Sequence, residues 1–253
     1  MTVVSNANES RRGAQARATS VQTYARIAGA LMLLSLVAGG FGEAYVPSKL
    51  MVSADATATA NNIKAFDFLF RLGFAGYLVE AMCDIALTLI FYVLLRPVRK
   101  DIALLAAFFG LVGTAEFAAA EMFYLAPSLI LGGAGYLKTF SPDQLNTLAL
   151  LSLKIYGLGG AMFTVFYGVG WVLRGHLIFR SDYLPKFLGV LMTLGGLAFI
   201  ARNFLLVLAP AHAPGSLLLL MFPGALALTV WLLVKGVDGP KWEEKTAARE
   251  FSV

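Results

Sequence analysis

Glu80 and Asp84 stand four residues apart inside an otherwise apolar stretch. At about 100° per residue they share one face of a helix, one turn apart. Two such carboxylates in a low-dielectric setting cannot both ionise cheaply, so a proton or a cation is expected between them. Glu116 lies in a later apolar stretch, and Lys154 and Arg202 in two more. The chemistry this set allows is acid–base work, proton relay, or the holding of a small ion or solute. Tyr77 shares the Glu80 face and Asn203 adjoins Arg202, which completes a candidate site of Tyr77, Glu80, Asp84, Glu116, Lys154, Arg202 and Asn203. Glu43, Arg71 and Glu121 also sit in or beside apolar stretches; Asp67, one turn before Arg71, is its expected partner.

These charges matter because of what surrounds them. Of 253 residues, 58% are hydrophobic and 14% charged, with a mean hydropathy of +0.75. Soluble domains are nearer 45–50% apolar and about 25% charged. The excess falls in long runs, as membrane-spanning helices require. An ionised group at the bilayer centre costs at least about 2.5–3.5 kcal/mol, so a charge that stays there needs a partner, water or a task.

Six spans are expected, in an all-α polytopic membrane protein. They cover about 24–42, 68–95, 102–131, 141–174, 185–209 and 215–234. Arg96-Pro97 stops the second, since proline removes an amide donor. Ser141-Pro142 opens the fourth as a cap followed by proline at the first helical position. Residues 1–20 are polar, without an apolar period, and are expected to be a disordered tail; 21–237 form the membrane domain and 238–253 a polar tail. The segment 53–62 reads as a polar loop, and Arg174-Gly175 as the end of the fourth span. The run from Ile27 to Gly42 is expected to be retained as the first helix rather than cleaved.

Of the twenty Lys and Arg residues, fourteen fall on one side of this layout. They are Arg11, Arg12, Arg17 and Arg26; Arg96, Arg99 and Lys100; Arg174, Arg180 and Lys186; and Lys235, Lys241, Lys245 and Arg249. That asymmetry predicts cytoplasmic termini in a multi-pass membrane protein. Helical-wheel faces place Glu80, Asp84 and Glu116 near mid-membrane, with Lys154 and Arg202 as counter-charges toward the outer side. Glu43 and Glu121 are placed at the outer edge. On the fourth span one face holds Lys154, Gly157, Gly160, Ala161, Thr164, Tyr167, Gly168 and Trp171. The second to fifth spans are therefore expected to share a polar seam.

Much chemistry is excluded. His176 and His212 are the two histidines, on opposite sides of the layout, so no zinc site and no haem is expected. No cofactor and no metal are expected, and no catalytic residue is assigned. One cysteine, Cys83, permits no internal disulfide. The net charge of +5 is spread over span ends, with no soluble basic face for nucleic acid. Hydrolase elbows and phosphate or dinucleotide loops are absent.

Three stretches carry a resemblance. They run from Phe70 to Glu80 and on to Tyr92-Val93-Leu94-Leu95-Arg96-Pro97; from Phe140 to Leu145; and from Gly175 through Leu177-Ile178-Phe179-Arg180-Ser181-Asp182-Tyr183-Leu184-Pro185 to Leu191. Together they resemble the bacterial integral-membrane family known as domain of unknown function 4386, over about residues 24–237. The resemblance implies fold and class, and carries no catalytic residue with it. Members often have a histidine where this chain has Tyr156.

Three functional readings stand open. The leading one is binding or passage of a small solute, ion or proton along the seam, with the lipid bilayer as surroundings. The second is a non-catalytic scaffold or partner protein. The third is an intramembrane lipid-modifying enzyme.

Overall fold

Long apolar runs with few breakers leave the backbone one way to satisfy its amides in lipid, which is helix. The computed structural model describes residues 2–250, with side chains placed from Ser20 to Arg249. Its α-helices are α1 (Thr2–Gly39), α2 (Val46–Leu50), α3 (Ala56–Ala65), α4 (Asp67–Leu95), α5 (Lys100–Ile130), α6 (Pro142–Phe179), α7 (Lys186–Leu208), α8 (Met221–Val234) and α9 (Gly239–Glu250). A six-residue π-helix, Gly40–Tyr45, joins α1 to α2. Among the described residues, six helical stretches are long and apolar enough to cross a membrane: Ser20–Leu50, Asp67–Leu95, Lys100–Ile130, Pro142–Phe179, Lys186–Leu208 and Gly215–Val234. The protein is thus an all-α, multi-pass membrane protein.

The local chemistry accounts for the boundaries. Ser141 and Gln144 form a reciprocal capping box: the Ser141 amide donates to Gln144 Oε1 (2.8 Å) and the Gln144 amide to Ser141 Oγ (3.3 Å). Asp182 holds a left-handed φ of 63° in the turn between α6 and α7, a conformation that aspartate tolerates better than most residues. Gly236, at φ 73°, turns the chain after α8.

Helix α1 is described from Thr2. Two segments differ from the expectation. The segment expected as a polar loop contains α3, because Asp55 caps it, accepting a 2.8 Å bond from the Ala58 amide. Helix α6 continues past Arg174-Gly175 to Phe179.

The chain separates into two compact units. The first comprises residues 1–33, 86–111 and 165–253. Within it α6 and α7 approach through glycine pairs: a Cβ on Gly196 would lie 2.5 Å from the Gly168 carbonyl oxygen, and one on Gly189 2.5 Å from that of Gly175. Gly224 of α8 packs less tightly, against the Leu191 backbone (3.1 Å). Helix α9 docks through Trp242, whose indole donates to the Leu94 carbonyl (3.0 Å), beside the Tyr183 hydroxyl on the same oxygen (2.7 Å). These two rings satisfy a carbonyl left open at the end of α4. The second unit comprises residues 34–85 and 112–164 and holds the acids.

Candidate functional site

The second unit is built on close backbone approach. A Cβ on Gly42 would meet the Gly73 carbonyl oxygen at 3.0 Å, one on Gly76 the Ala38 carbonyl oxygen at 3.1 Å, and one on Gly39 the Glu80 carboxylate at 2.6 Å. Small residues let α1 and its π-helical continuation press onto α4. Glu80 therefore lies along the Gly39 backbone. The π-helix inserts an extra residue per turn, and such insertions concentrate at functional sites. Glu43 stands inside this one.

Glu43, Asp84 and Glu121 all lie within electrostatic reach of Glu80. Asp84 is 4% exposed and accepts a long bond from Ser35 Oγ (3.4 Å). Glu121 on α5 is also 4% exposed, and neither of its carboxylate oxygens has a donor in hydrogen-bond geometry. Glu80 Oε2 is likewise unpartnered. Glu43 is exposed.

Three tyrosines adjoin these acids. Tyr77, Tyr124 and Tyr156 pack edge to face, with centroids 5.0, 5.3 and 5.7 Å apart. Tyr77 donates to the Gly42 carbonyl (2.9 Å) and Tyr124 to the Phe70 carbonyl (3.2 Å). Tyr156 faces both Tyr77 and Glu121. Below them Phe117 stacks on Phe163 at 4.7 Å. The arrangement can hold a proton among its carboxyls, since a buried carboxylate with no cation beside it is neutralised by one. Among the described residues no group of three or more acidic, cysteine or histidine side chains is arranged to chelate a metal.

The expected site residues separate. Asp84 lies within electrostatic reach of Glu80, and Tyr77 within that of Glu43 and Glu121. Glu116 stands apart from the other acids, near Gly159, with Oε2 buried and unpartnered. Lys154 is exposed and makes no ion pair among the described residues, so it is no counter-charge. A lysine stem favours an outward path that keeps its ammonium solvated. Arg202 and Asn203 belong to the first unit, where Arg202 Nη1 donates to Asn203 Oδ1 (2.9 Å) and Asn203 Nδ2 to the Phe199 carbonyl (2.9 Å). Arg71 pairs with Asp67 as expected (2.7 Å). Gly157 and Gly160 meet open space.

Sequence reasoning placed Glu43 and Glu121 at the edge. The first span runs on to Leu50, so Glu43 lies seven residues, roughly 10 Å, inside its end. Tyr156 was passed over because Lys154, two residues earlier, points the other way around α6. Arg174 was counted in a loop. It is 4% exposed within the first unit, beside Thr88 Oγ1 (3.5 Å) and over the rings of Phe91 (5.6 Å) and Tyr167 (5.9 Å). Its spacing of seven from Tyr167 is the signal that could have placed it inward.

Comparison with known proteins adds a family and one relative. The family model described as Domain of unknown function (DUF4386) matches residues 27–236. A protein of Archaeoglobus fulgidus that bears the name "Uncharacterized protein" is 26% identical over 180 residues, which cover 69% of this chain and 93% of its own. No solved structure matches the chain.

Proposed function

The chain belongs to the family described as Domain of unknown function (DUF4386), and we propose that it takes up a proton among Glu43, Glu80, Asp84 and Glu121 and lets it pass. The observation that carries this reading is Glu121: buried on α5, with the Tyr156 hydroxyl as its polar neighbour and no cation beside it among the described residues. The unit supplies no fixed cation to offset it. Its basic side chains, Lys49, Lys64, Arg71, Lys138 and Lys154, are all exposed. A proton is then the species that balances the cluster. Tyr77 and Tyr156 supply hydroxyls beside the acids, which suits a proton path.

The test is proton flux in reconstituted liposomes. Wild type should dissipate an imposed proton gradient, and Glu121→Gln and Glu80→Gln should abolish that flux. A flux equal to that of empty liposomes would sink the proposal. We place the protein in a bacterial inner membrane, with the cytoplasmic termini that the basic-residue asymmetry supports; reporter fusions at the carboxyl end test the orientation.

One observation favours a second reading, that the cluster serves assembly alone. Tyr77 and Tyr124 are each satisfied by a backbone carbonyl on a neighbouring element, as interhelical glue requires. On that reading Glu121→Gln changes the melting temperature, and wild type carries no proton flux.

A further inference from the structure

A crevice of about 330 Å³ in the first unit is lined by Val98, Arg99, His176, Arg180 and Lys245. It lies where the α4–α5 turn, the end of α6 and helix α9 meet. Three of its five lining side chains carry a permanent positive charge. None of this belongs to the acid cluster.

Two of those cations are already engaged. Arg99 gives Nε and Nη2 to Asp101 (3.0 and 2.6 Å), which leaves its Nη1 edge unused. Lys245 gives its ammonium to the Arg180 carbonyl (2.6 Å), the Ser181 carbonyl (3.3 Å) and Asp182 Oδ2 (2.9 Å). Three donors meet three acceptors, so Lys245 positions the Arg180 backbone at the crevice rather than reaching into it. The Arg180 guanidinium and the His176 ring have no side-chain partner among the described residues, and both are exposed. After pairing, the crevice keeps one unbalanced guanidinium, the spare edge of a second, and an imidazole. Those are donors suited to phosphate oxygens.

Position selects the source of the phosphate. Leu95, Lys100 and Phe179 end three membrane-length helices on this side, the level at which lipid headgroups lie. Leu104, Leu105 and Phe179, within about one turn of those ends, are exposed apolar side chains that suit acyl chains. We propose that this crevice binds the phosphate of an anionic phospholipid headgroup through Arg180, Arg99 and His176, with Lys245 as a positioning residue. Basic crevices between spans are known to take such headgroups.

The full chain in detergent, probed by native mass spectrometry, tests this with three added probes: phosphatidylglycerol, phosphatidylcholine and inorganic phosphate. Wild type should retain phosphatidylglycerol over phosphatidylcholine. Arg180→Gln should weaken retention about fivefold, and Arg99→Gln with Arg180→Gln about 25-fold, near fivefold for each cation. Lys64→Gln with Lys138→Gln, at the opposite ends of spans, should leave it unchanged. Arg180→Lys should restore part of the loss, which separates charge from folding damage. Equal retention of both lipids, or no change in the double variant, would overturn the proposal. Displacement of phosphatidylglycerol by inorganic phosphate alone would overturn the lipid assignment in favour of a soluble phosphate site.

Discussion

Gly189→Ala should destabilise the protein, while the same change at Gly157 should stabilise it. A Cβ at 189 would sit 2.5 Å from the Gly175 carbonyl oxygen and 2.7 Å from the Phe179 amide nitrogen. An unstrained C···O contact is about 3.3 Å, so α6 and α7 must part by about 0.8 Å. The obstructing atoms are backbone and cannot swing aside. Overpacking of this kind costs up to about 3 kcal/mol, and alanine returns about 1 kcal/mol through helix propensity. The net loss is about 2 kcal/mol, a fall in Tm of roughly 4–8 °C for a chain of this size. At Gly157 no atom lies within 4 Å of the added carbon, which leaves the propensity gain alone and a rise of roughly 2–4 °C. Gly196→Ala, 2.5 Å from the Gly168 oxygen, should behave like Gly189→Ala. The double variant should lose less than the sum, because one parting of the helices relieves both overlaps. Thermal unfolding of all four in one detergent is the assay. An unchanged or raised Tm for Gly189→Ala would refute the close glycine crossing, and a lowered Tm for Gly157→Ala would refute the open face.

Other residues give further expectations. Tyr183→Phe should cost about 1 kcal/mol, because Trp242 still donates to the Leu94 carbonyl; Trp242→Ala should release α9, seen as faster amide exchange over 239–250. Lys245 holds the Asp182 carboxyl below the usual carboxylate range, chiefly by their hydrogen bond. That contribution is complete above the ordinary aspartate value and is lost as pH falls through the lowered one. Exchange of α9 should thus accelerate in strong acid, and Asp182→Asn, which tolerates the left-handed φ, should remove the pH dependence while keeping the turn. Arg174→Lys should lower stability by about 1–2 kcal/mol through loss of the stacked guanidinium over Phe91 and Tyr167, measured against Lys154→Gln, which should be nearly neutral.

The spans were legible because a bilayer demands about 20 apolar residues and the chain offers six such runs. Their ends were less so. Gly42 and Arg174-Gly175 look like stops, yet both are helical, since tertiary packing overrides the weak penalty of a single glycine. The Glu80–Asp84 face was readable from a spacing of four. Glu43 was not, because the first span reads as ending at Gly42, whereas it runs on to Leu50. On α6 the polar face was legible in part: Gly168 and Trp171 are buried, whereas Lys154 is exposed, because a lysine stem carries its ammonium outward to water.

The occupancy of Glu121 is the most direct measure of the central claim. Infrared difference spectra of the reconstituted protein, recorded on adding protons, report carboxyl groups that change state. The account predicts a carboxyl signal that saturates with protons and disappears in Glu121→Gln. A spectrum that protons do not alter, or one that Glu121→Gln leaves intact, would contradict it.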